Sequence, residues 1–175
     1  MKKYQLIYAD PPWNISKGGI RKARPRQGRE LDYPVLGISA ITDIIGKIDA
    51  DILFLWTVDK YLFEAQRMAE SLGYRLHARI IWDKGNGVAP AFTVRFSHEY
   101  LLWMYRNFIP IDREMRGKYT TVLREKSARH SQKPSVAYEM IERLYPNLSR
   151  IELFARNKRD GWDVWGNEVE SDIEL

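Results

Sequence analysis

The chain has 175 residues, 45% of them apolar, with six Trp, ten Tyr and six Phe, which is the make-up of a folded globule and not of a disordered segment. It contains no cysteine, so disulfides, thiolate metal sites and a cysteine nucleophile are excluded, and no apolar run is long enough to span a bilayer. The formal net charge is +5, an excess compatible with a polyanionic partner without requiring one.

The opening stretch, MKKYQLIYAD, has too short an apolar segment for a secretory signal and reads as a first strand over Gln5–Ala9 that ends at Asp10. A cytoplasmic chain is the default expectation. Residues 17–30 follow with six Lys or Arg and one Glu, without apolar periodicity, and read as a basic loop. Ile38–Ile48 reads as a helix and Ile52–Trp56 as a buried strand. Asp59 is placed to cap a helix to Leu72 with Leu62, Ala65, Ala69 and Leu72 on one face, and Gly73 is its stop. Ala78–Trp82 and Glu99–Tyr105 read as further strands. Residues 112–133 carry seven Lys or Arg and three acids, and read as a second mobile basic loop. Pro134 sits where the first turn of a helix to about Tyr145 would begin, with Val136, Ala137, Met140, Ile141 and Leu144 as its apolar face. Ile151–Ala155 is one more buried strand. Strands alternating with helices, with no repeat or linker dividing the chain, predict one domain over residues 1–175. Its fold would be α/β, with a mostly parallel sheet covered by helices on both faces. Ligands of such sheets bind beyond the carboxyl ends of the strands, a rule that points to Asp10 and Arg156.

The segment Asp10-Pro11-Pro12-Trp13 carries the most chemistry. A buried strand delivers a carboxylate to the sheet edge, and two prolines then fix φ and remove two backbone donors. The carbonyls of Asp10 and Pro11 are left as rigid acceptors beside an aromatic ring. Acceptors on both hydrogens of an exocyclic amine favour the lone-pair-forward nitrogen and its developing positive charge, while the ring stacks on the base. Holding that nitrogen in line with a methyl donor is then a proximity effect that needs neither a covalent intermediate nor a metal. His77, His98 and His130 are not at ligand spacing, so no metal site is expected.

Tyr8-Ala9-Asp10-Pro11-Pro12-Trp13 resembles the catalytic motif of the MT-A70 family of S-adenosylmethionine-dependent N6-adenine methyltransferases. The resemblance continues through Ser131-Gln132-Lys133-Pro134, Ile141–Pro146, Ile151–Arg156 and Gly161–Glu168, so it runs from about Tyr4 to Glu168. It implies a Rossmann-like methyltransferase sheet with the catalytic motif N-terminal to the cofactor motif. It also implies catalytic roles for Asp10, Pro11, Pro12 and Trp13, with S-adenosylmethionine as cofactor. Lys133 would pair with the methionine carboxylate with help from the helix N-terminus. Arg156 would contact the ribose, Asn167 and Glu168 would hold ribose hydroxyls or the cofactor adenine, and Asp10 would also face the methionine ammonium. Which of Asn157, Lys158 and Arg159 faces the cofactor stays open. Arg95 and the His98-Glu99 pair resemble positions on the substrate side. Family relatives pair, so a homodimer or a paired subunit is implied by analogy.

A duplex adenine must be flipped out or already unpaired to enter a cleft. Arg21, Lys22, Arg24 and Arg26 of the first basic loop, with the second loop, are the expected phosphate grip. DNA is the expected substrate, with RNA as the alternative. A non-catalytic nucleic-acid-binding subunit is the reading from another class, and it would be expected to lack the Asp, the aromatic residue or the Lys that are all present here.

Overall fold

The computed structural model describes residues 3–14, 36–87, 94–127 and 132–175. Seven strands form one sheet: β1 (Leu6–Ala9), β2 (Ile52–Thr57), β3 (Arg75–Asp83), β4 (His98–Tyr105), β5 (Val122–Arg124), β6 (Arg150–Leu153) and β7 (Asp163–Trp165), in the order β5-β3-β4-β2-β1-β6-β7. The helices are α1 (Ile38–Gly46), α2 (Leu62–Ser71) and α3 (Ser135–Leu144).

The pairs β1–β2, β1–β6, β6–β7 and β3–β5 are parallel, and β4 alone is reversed, antiparallel to both β2 and β3. The expectation of a mostly parallel sheet holds, and the reversal has a simple cause. Strands joined by a helix come back parallel, whereas no helix is described between β3 and β4 to carry the chain back across the sheet.

Alternation along the strands splits the core in two. Ile7, Ala9, Leu53 and Leu55 face α1 and α2, packing on Ile41, Ile45, Ala65, Met68 and Ala69. Leu6, Tyr8, Ile52, Phe54 and Trp56 face the other way, toward Ala137, Met140, Ile141 and Leu144 of α3. Strands buried on both faces are why QLIYA and ILFLW read as continuous apolar runs. The expected α3 face is the one buried, with Val136 at its margin. On α2, Ala65 and Ala69 are buried as expected and Met68 joins them, while Leu62 and Leu72 pack at the edge.

Three local expectations are corrected. Asp59 does not cap α2. It opens a 3-10 turn, Asp59–Tyr61, whose N-cap is Val58. Pro134 is the N-cap of α3 and not part of its first turn, with extended backbone at φ −66°, ψ 141°. Of the second basic loop expected over 112–133, residues 128–131 lie outside the described residues, and 112–127 are not irregular loop throughout. They hold a 3-10 turn at Arg113–Met115 and then β5, which pairs with β3 and buries Leu123. Three residues are too short a strand to show periodicity among so many charges.

Candidate active site

β1 lies between β2, reached through α1, and β6, reached from the far half of the chain. The strand order changes direction between β1 and β6, and the crevice there is where such sheets place ligands. Both strands end at this crevice, and three segments converge on it: the Pro-Pro corner after β1, residues 154–156 after β6, and the start of α3.

A cleft of about 580 Å3 opens at this point, lined among others by Asp10, Lys133, Tyr138, Glu152, Arg156 and Glu168. An adjoining lobe of about 300 Å3 shares Asp10, Phe154, Arg156 and Glu168 and adds Pro12, Gly166 and Asn167. The two lobes are of the size that holds a nucleoside-sized ligand. They bring together Asp10, Lys133, Arg156, Asn167 and Glu168, residues spread over most of the sequence.

The centre of the cleft is a chain of alternating charges. Lys133 Nζ lies 2.8 Å from Asp10 Oδ1 and 3.2 Å from Glu99 Oε2, and the other Glu99 oxygen is 2.5 Å from Lys84 Nζ. The Lys133 ammonium also rests 5.4 Å from the Trp56 ring centre, a cation–π contact. Burial by itself would push the Lys133 ammonium down, but Asp10 and Glu99 outweigh it and hold the group above its ordinary value. Burial pushes Glu99 up, and the two lysines more than reverse this, so its carboxyl lies low. For Asp10 burial dominates and the carboxyl is raised, with Lys133 opposing.

Glu152 has a different environment. It stands on β6 opposite Tyr8 of β1, is 7% exposed, and accepts a hydrogen bond from the Tyr138 hydroxyl at 2.9 Å. Burial pushes its carboxyl from 4.5 up to about 7, against the lowering effect of the Tyr138 hydrogen bond. An acid inside an otherwise apolar strand, IELFA, is the sequence signal that could have singled it out.

The Pro-Pro corner is tightly held. Trp13 N–H donates to the Pro11 carbonyl at 2.8 Å, Leu36 N–H donates to the Pro12 carbonyl at 3.2 Å, and Trp13 Nε1 donates to the Trp56 carbonyl at 2.9 Å. The Pro11 carbonyl, expected to be wholly directed at a ligand, therefore spends one lone pair on this turn, which fixes its direction. Trp13 is not the open stacking face the sequence suggested. It is 4% exposed, with its ring stacked on Tyr61 at 5.2 Å between centres. Its apolar area and its one donor are both satisfied inside, so it locks the corner to β2.

On the substrate side, alternation decides. Leu102 and Met104 of β4 face α1 and α2, while Leu101 faces α3. Glu99 shares the α3 face and reaches Lys133. His98 takes the opposite face, where its Nε2 lies 3.0 Å from the Tyr100 hydroxyl. The structure thus brings Glu99 into the site and leaves His98 out of it. Arg95 is exposed and donates to the Gly87 carbonyl at 2.7 Å. Arg21, Lys22, Arg24 and Arg26 lie outside the described residues.

The residues expected on the cofactor side lie beside strained and crowded backbone. Phe154, at the end of β6, has φ 63°, a left-handed conformation that costs a non-glycine residue on the order of 1–3 kcal/mol and tends to mark functional sites. Gly166 crosses Ala155 so closely that a Cβ would meet the Ala155 carbonyl oxygen at 2.1 Å. Arg156 Nε lies 3.6 Å from Glu168 Oε1, so the two expected cofactor contacts form a pair. Lys158 is held by Asp172 at 3.1 Å and Arg159 by Glu142 at 2.6 and 3.0 Å, which leaves Asn157 as the uncommitted side chain of the three.

The start of α3 carries a contact the sequence did not reveal. Glu125, just after β5, accepts from the backbone N–H groups of Ser135 and Val136 at 2.9 and 3.0 Å and from the Ser135 hydroxyl at 2.9 Å. The expectation that this helix end assists Lys133 in holding a ligand carboxylate is corrected. Its first amides are already bonded to an internal carboxylate. The cap joins residues ten positions apart across a segment with no capping signature, so local sequence could not announce it.

Among the described residues no cluster of His, Asp and Glu could hold a metal ion, and no helix is long and apolar enough to cross a membrane. The site's donor set is one of carboxylates, amine, guanidinium and amide around an elongated cleft.

The sequence is similar to those of known methyltransferases. The type II methyltransferase M.MunI of Mycoplasma sp is 32% identical over 185 residues, a match covering 96% of this chain and 78% of that protein. The putative N(6)-adenosine-methyltransferase MT-A70-like of Medicago truncatula is 28% identical, covering 95% of this chain and 26% of the relative. The human N(6)-adenosine-methyltransferase catalytic subunit METTL3 is also 28% identical, with 96% and 28% covered. The chain thus spans most of the first relative and about a quarter of the other two. The profile of the MT-A70 family matches residues 4–168, from the strand that delivers Asp10 to Glu168 at the far lip of the cleft, and the chain belongs to the MT-A70 family of methyltransferases.

Proposed function

We propose that this chain transfers a methyl group from S-adenosylmethionine to the N6 amine of adenine in DNA by direct in-line displacement. The observation that carries the reading is the Asp10–Lys133 ion pair at 2.8 Å, which joins the end of β1 to the start of α3 on one cleft.

The residues suit that cofactor. The cleft offers carboxylates for an ammonium, Lys133 for a carboxylate, and Arg156, Asn167 and Glu168 for hydroxyls and a base. When bound, S-adenosylmethionine supplies an electrophilic methyl on a sulfonium. Asp10 and the fixed Pro11 carbonyl accept the amine's hydrogens, which turns the nitrogen lone pair outward and stabilises its growing charge. Lys133 and Glu99 hold the Asp10 carboxylate in place, and Trp13 keeps the corner from relaxing, so the alignment is preset. The dry aromatic surround of Tyr8, Trp56 and Tyr138 strengthens each of these interactions.

DNA is put first because the chain covers 78% of the type II methyltransferase and only a quarter of the N(6)-adenosine enzymes. The names of those relatives are what favour RNA as the second reading. The test is methyl transfer from labelled cofactor to matched DNA and RNA oligonucleotides, with the native chain and Asp10→Ala. The expected result is label at adenine N6 in DNA, and a loss on the order of 10²–10³-fold or more in a variant that unfolds like the native chain. Label confined to RNA would reverse the substrate order. Near-native transfer by Asp10→Ala would refute the mechanism, and failure to bind S-adenosylmethionine would favour the non-catalytic subunit.

A further inference from the structure

At the β5 edge of the sheet the chain carries features that the reaction leaves unused. β5 pairs only with Ile81–Asp83 of β3, so the first half of β3 has no strand beyond it. Beside that open stretch, on the α3 side, lies a separate cavity of about 170 Å3. Its walls are the rings of His77, Trp103, Tyr105, Phe108 and Tyr145, with Ile111 closing one side. The rings are already set. Trp103 stacks on Phe54 with centres 5.4 Å apart and meets Tyr145 and His77 at 6.0 and 4.4 Å. Phe108 is 69% exposed and makes an edge contact with Tyr105 at 6.0 Å. β3 runs from His77 in this wall to Trp82 on the catalytic cleft, a span of roughly 17 Å at about 3.3 Å per residue. A second connection runs over the surface, from Ile111 at the cavity to Lys126 on the lip of the cleft. Met115, Tyr119 and Leu123 anchor this segment on the α3-side core. Arg113, Arg116, Lys118, Arg124 and Lys126 are exposed along it, against one exposed acid, Glu114. Among the described residues none of these cations takes part in an ion pair.

We propose that this strip is the track for an unpaired strand flanking the target adenine, with the phosphates on its cations and one base of the strand seated in the aromatic cavity. The proposal rests on the nucleic-acid methyltransferase reading and adds to it a second contact site for the same substrate. Size and chemistry both point this way. A cavity of about 170 Å3 is smaller than pockets for drug-sized ligands and suits a single ring system. Rings on several sides recognise the π-face of any base. The Arg75 guanidinium, 5.7 Å from the centre of the Tyr105 ring, places a further cation at the rim. An apolar peptide side chain would use the cavity and leave the cations idle. A ligand with flat rings on a polyanionic chain uses both, and the strip ends where its target amine must react. A base has to be out of a duplex to sit here, so the site selects a strand that is already unpaired. Phosphate contacts and stacking read no sequence. What the site measures is the length of unpaired strand between the reacting adenine and the cavity.

The experiment is fluorescence anisotropy of the full chain with DNA duplexes that carry the target adenine beside an unpaired tail of increasing length, on either side of it, and with RNA of the same sequences as a second set. Affinity should rise in one step when the tail becomes long enough to span roughly 17 Å. An abasic nucleotide at that tail position should abolish the step. Phe108→Ala should remove it as well, a loss on the order of 5- to 150-fold for tailed probes. Tail-free probes should bind to this variant and be methylated by it as by the native chain, and Phe108→Trp should restore the step. Changing Arg116 and Lys118 to Gln should lower the salt dependence of log affinity for tailed probes by about 0.7 per cation. Affinity that does not depend on tail length, or Phe108→Ala that leaves tailed probes unaffected or weakens both kinds equally, overturns the proposal while methyl transfer to tail-free probes keeps the enzyme reading standing. A dimer in sedimentation that Phe108→Ala dissolves, with tailed affinity unchanged, would make the cavity a self-association surface and overturn it too. Absence of binding to every oligonucleotide overturns both readings.

Discussion

A carboxyl raised by burial should reveal itself in the folding equilibrium of the free chain. Glu152 goes from an ordinary 4.5 to about 7 on folding. Below 4.5 the carboxyl is protonated in both folded and unfolded chains, so it contributes no pH dependence. As pH rises through 4.5 the unfolded chain ionises first, and native stability falls until the folded carboxyl ionises in turn near 7. Above that pH the full cost is present. At about 1.4 kcal/mol for each tenfold change in proton affinity, it amounts to roughly 3 kcal/mol. Glu152→Gln replaces the acid by a neutral side chain of the same shape that can still accept from Tyr138. The variant should match the native chain at pH 4.5 and exceed its stability by about 2–3 kcal/mol at pH 8. Urea unfolding of both chains at pH 4.5, 6 and 8 measures this, and taking the difference between them cancels the other titrating groups. An advantage that is the same at all three values would show that the carboxyl does not titrate in the folded interior, and the electrostatic account of the cleft would fail with it.

Lys133→Ala should weaken S-adenosylmethionine binding more than nucleic-acid binding, read by calorimetry and by oligonucleotide anisotropy; the reverse ranking would move Lys133 to the substrate side. Glu125→Ala should lower stability by about 1–2 kcal/mol through loss of the α3 cap, measured by urea unfolding, and an unchanged midpoint would mean that the contact is not formed in solution. Gly166→Ala should cost at least about 2 kcal/mol, because its Cβ would have to push the Ala155 backbone aside, and a melting temperature unchanged by thermal denaturation would contradict that crossing.

Sequence reading succeeded where one kind of force acts over several residues. The runs before Asp10 and before Asn157's loop are apolar throughout because both faces of their strands are covered, so the strands and their functional ends were legible together. Asp10 and Lys133 were expected to meet, and they do. It failed where a residue's environment is set by distant chain. β5 gains its stability from pairing with β3, not from its own composition. His98 and Glu99 are neighbours in sequence, and only the register of β4 turns one toward the cleft and the other away. Trp13 followed a motif associated with stacking, but a ring with a vacancy against Tyr61 and an acceptor at Trp56 is pulled inward. The cap from Glu125 depends on where β5 ends in space, which no local pattern encodes.

That cap bears on which adenosine compounds the cleft can admit. Proteins that bind nucleotides commonly offer phosphates a row of open amides at a helix start. Here an approaching phosphate at α3 would encounter a carboxylate already seated on those amides, and would be repelled. Phosphorylated adenosines would therefore be disfavoured at that end, whereas the proposed cofactor, whose tail is an amino acid, would need only Lys133 for its carboxylate. On the proposed function, the way the chain ties its own helix to its sheet would thus select among abundant adenosine metabolites.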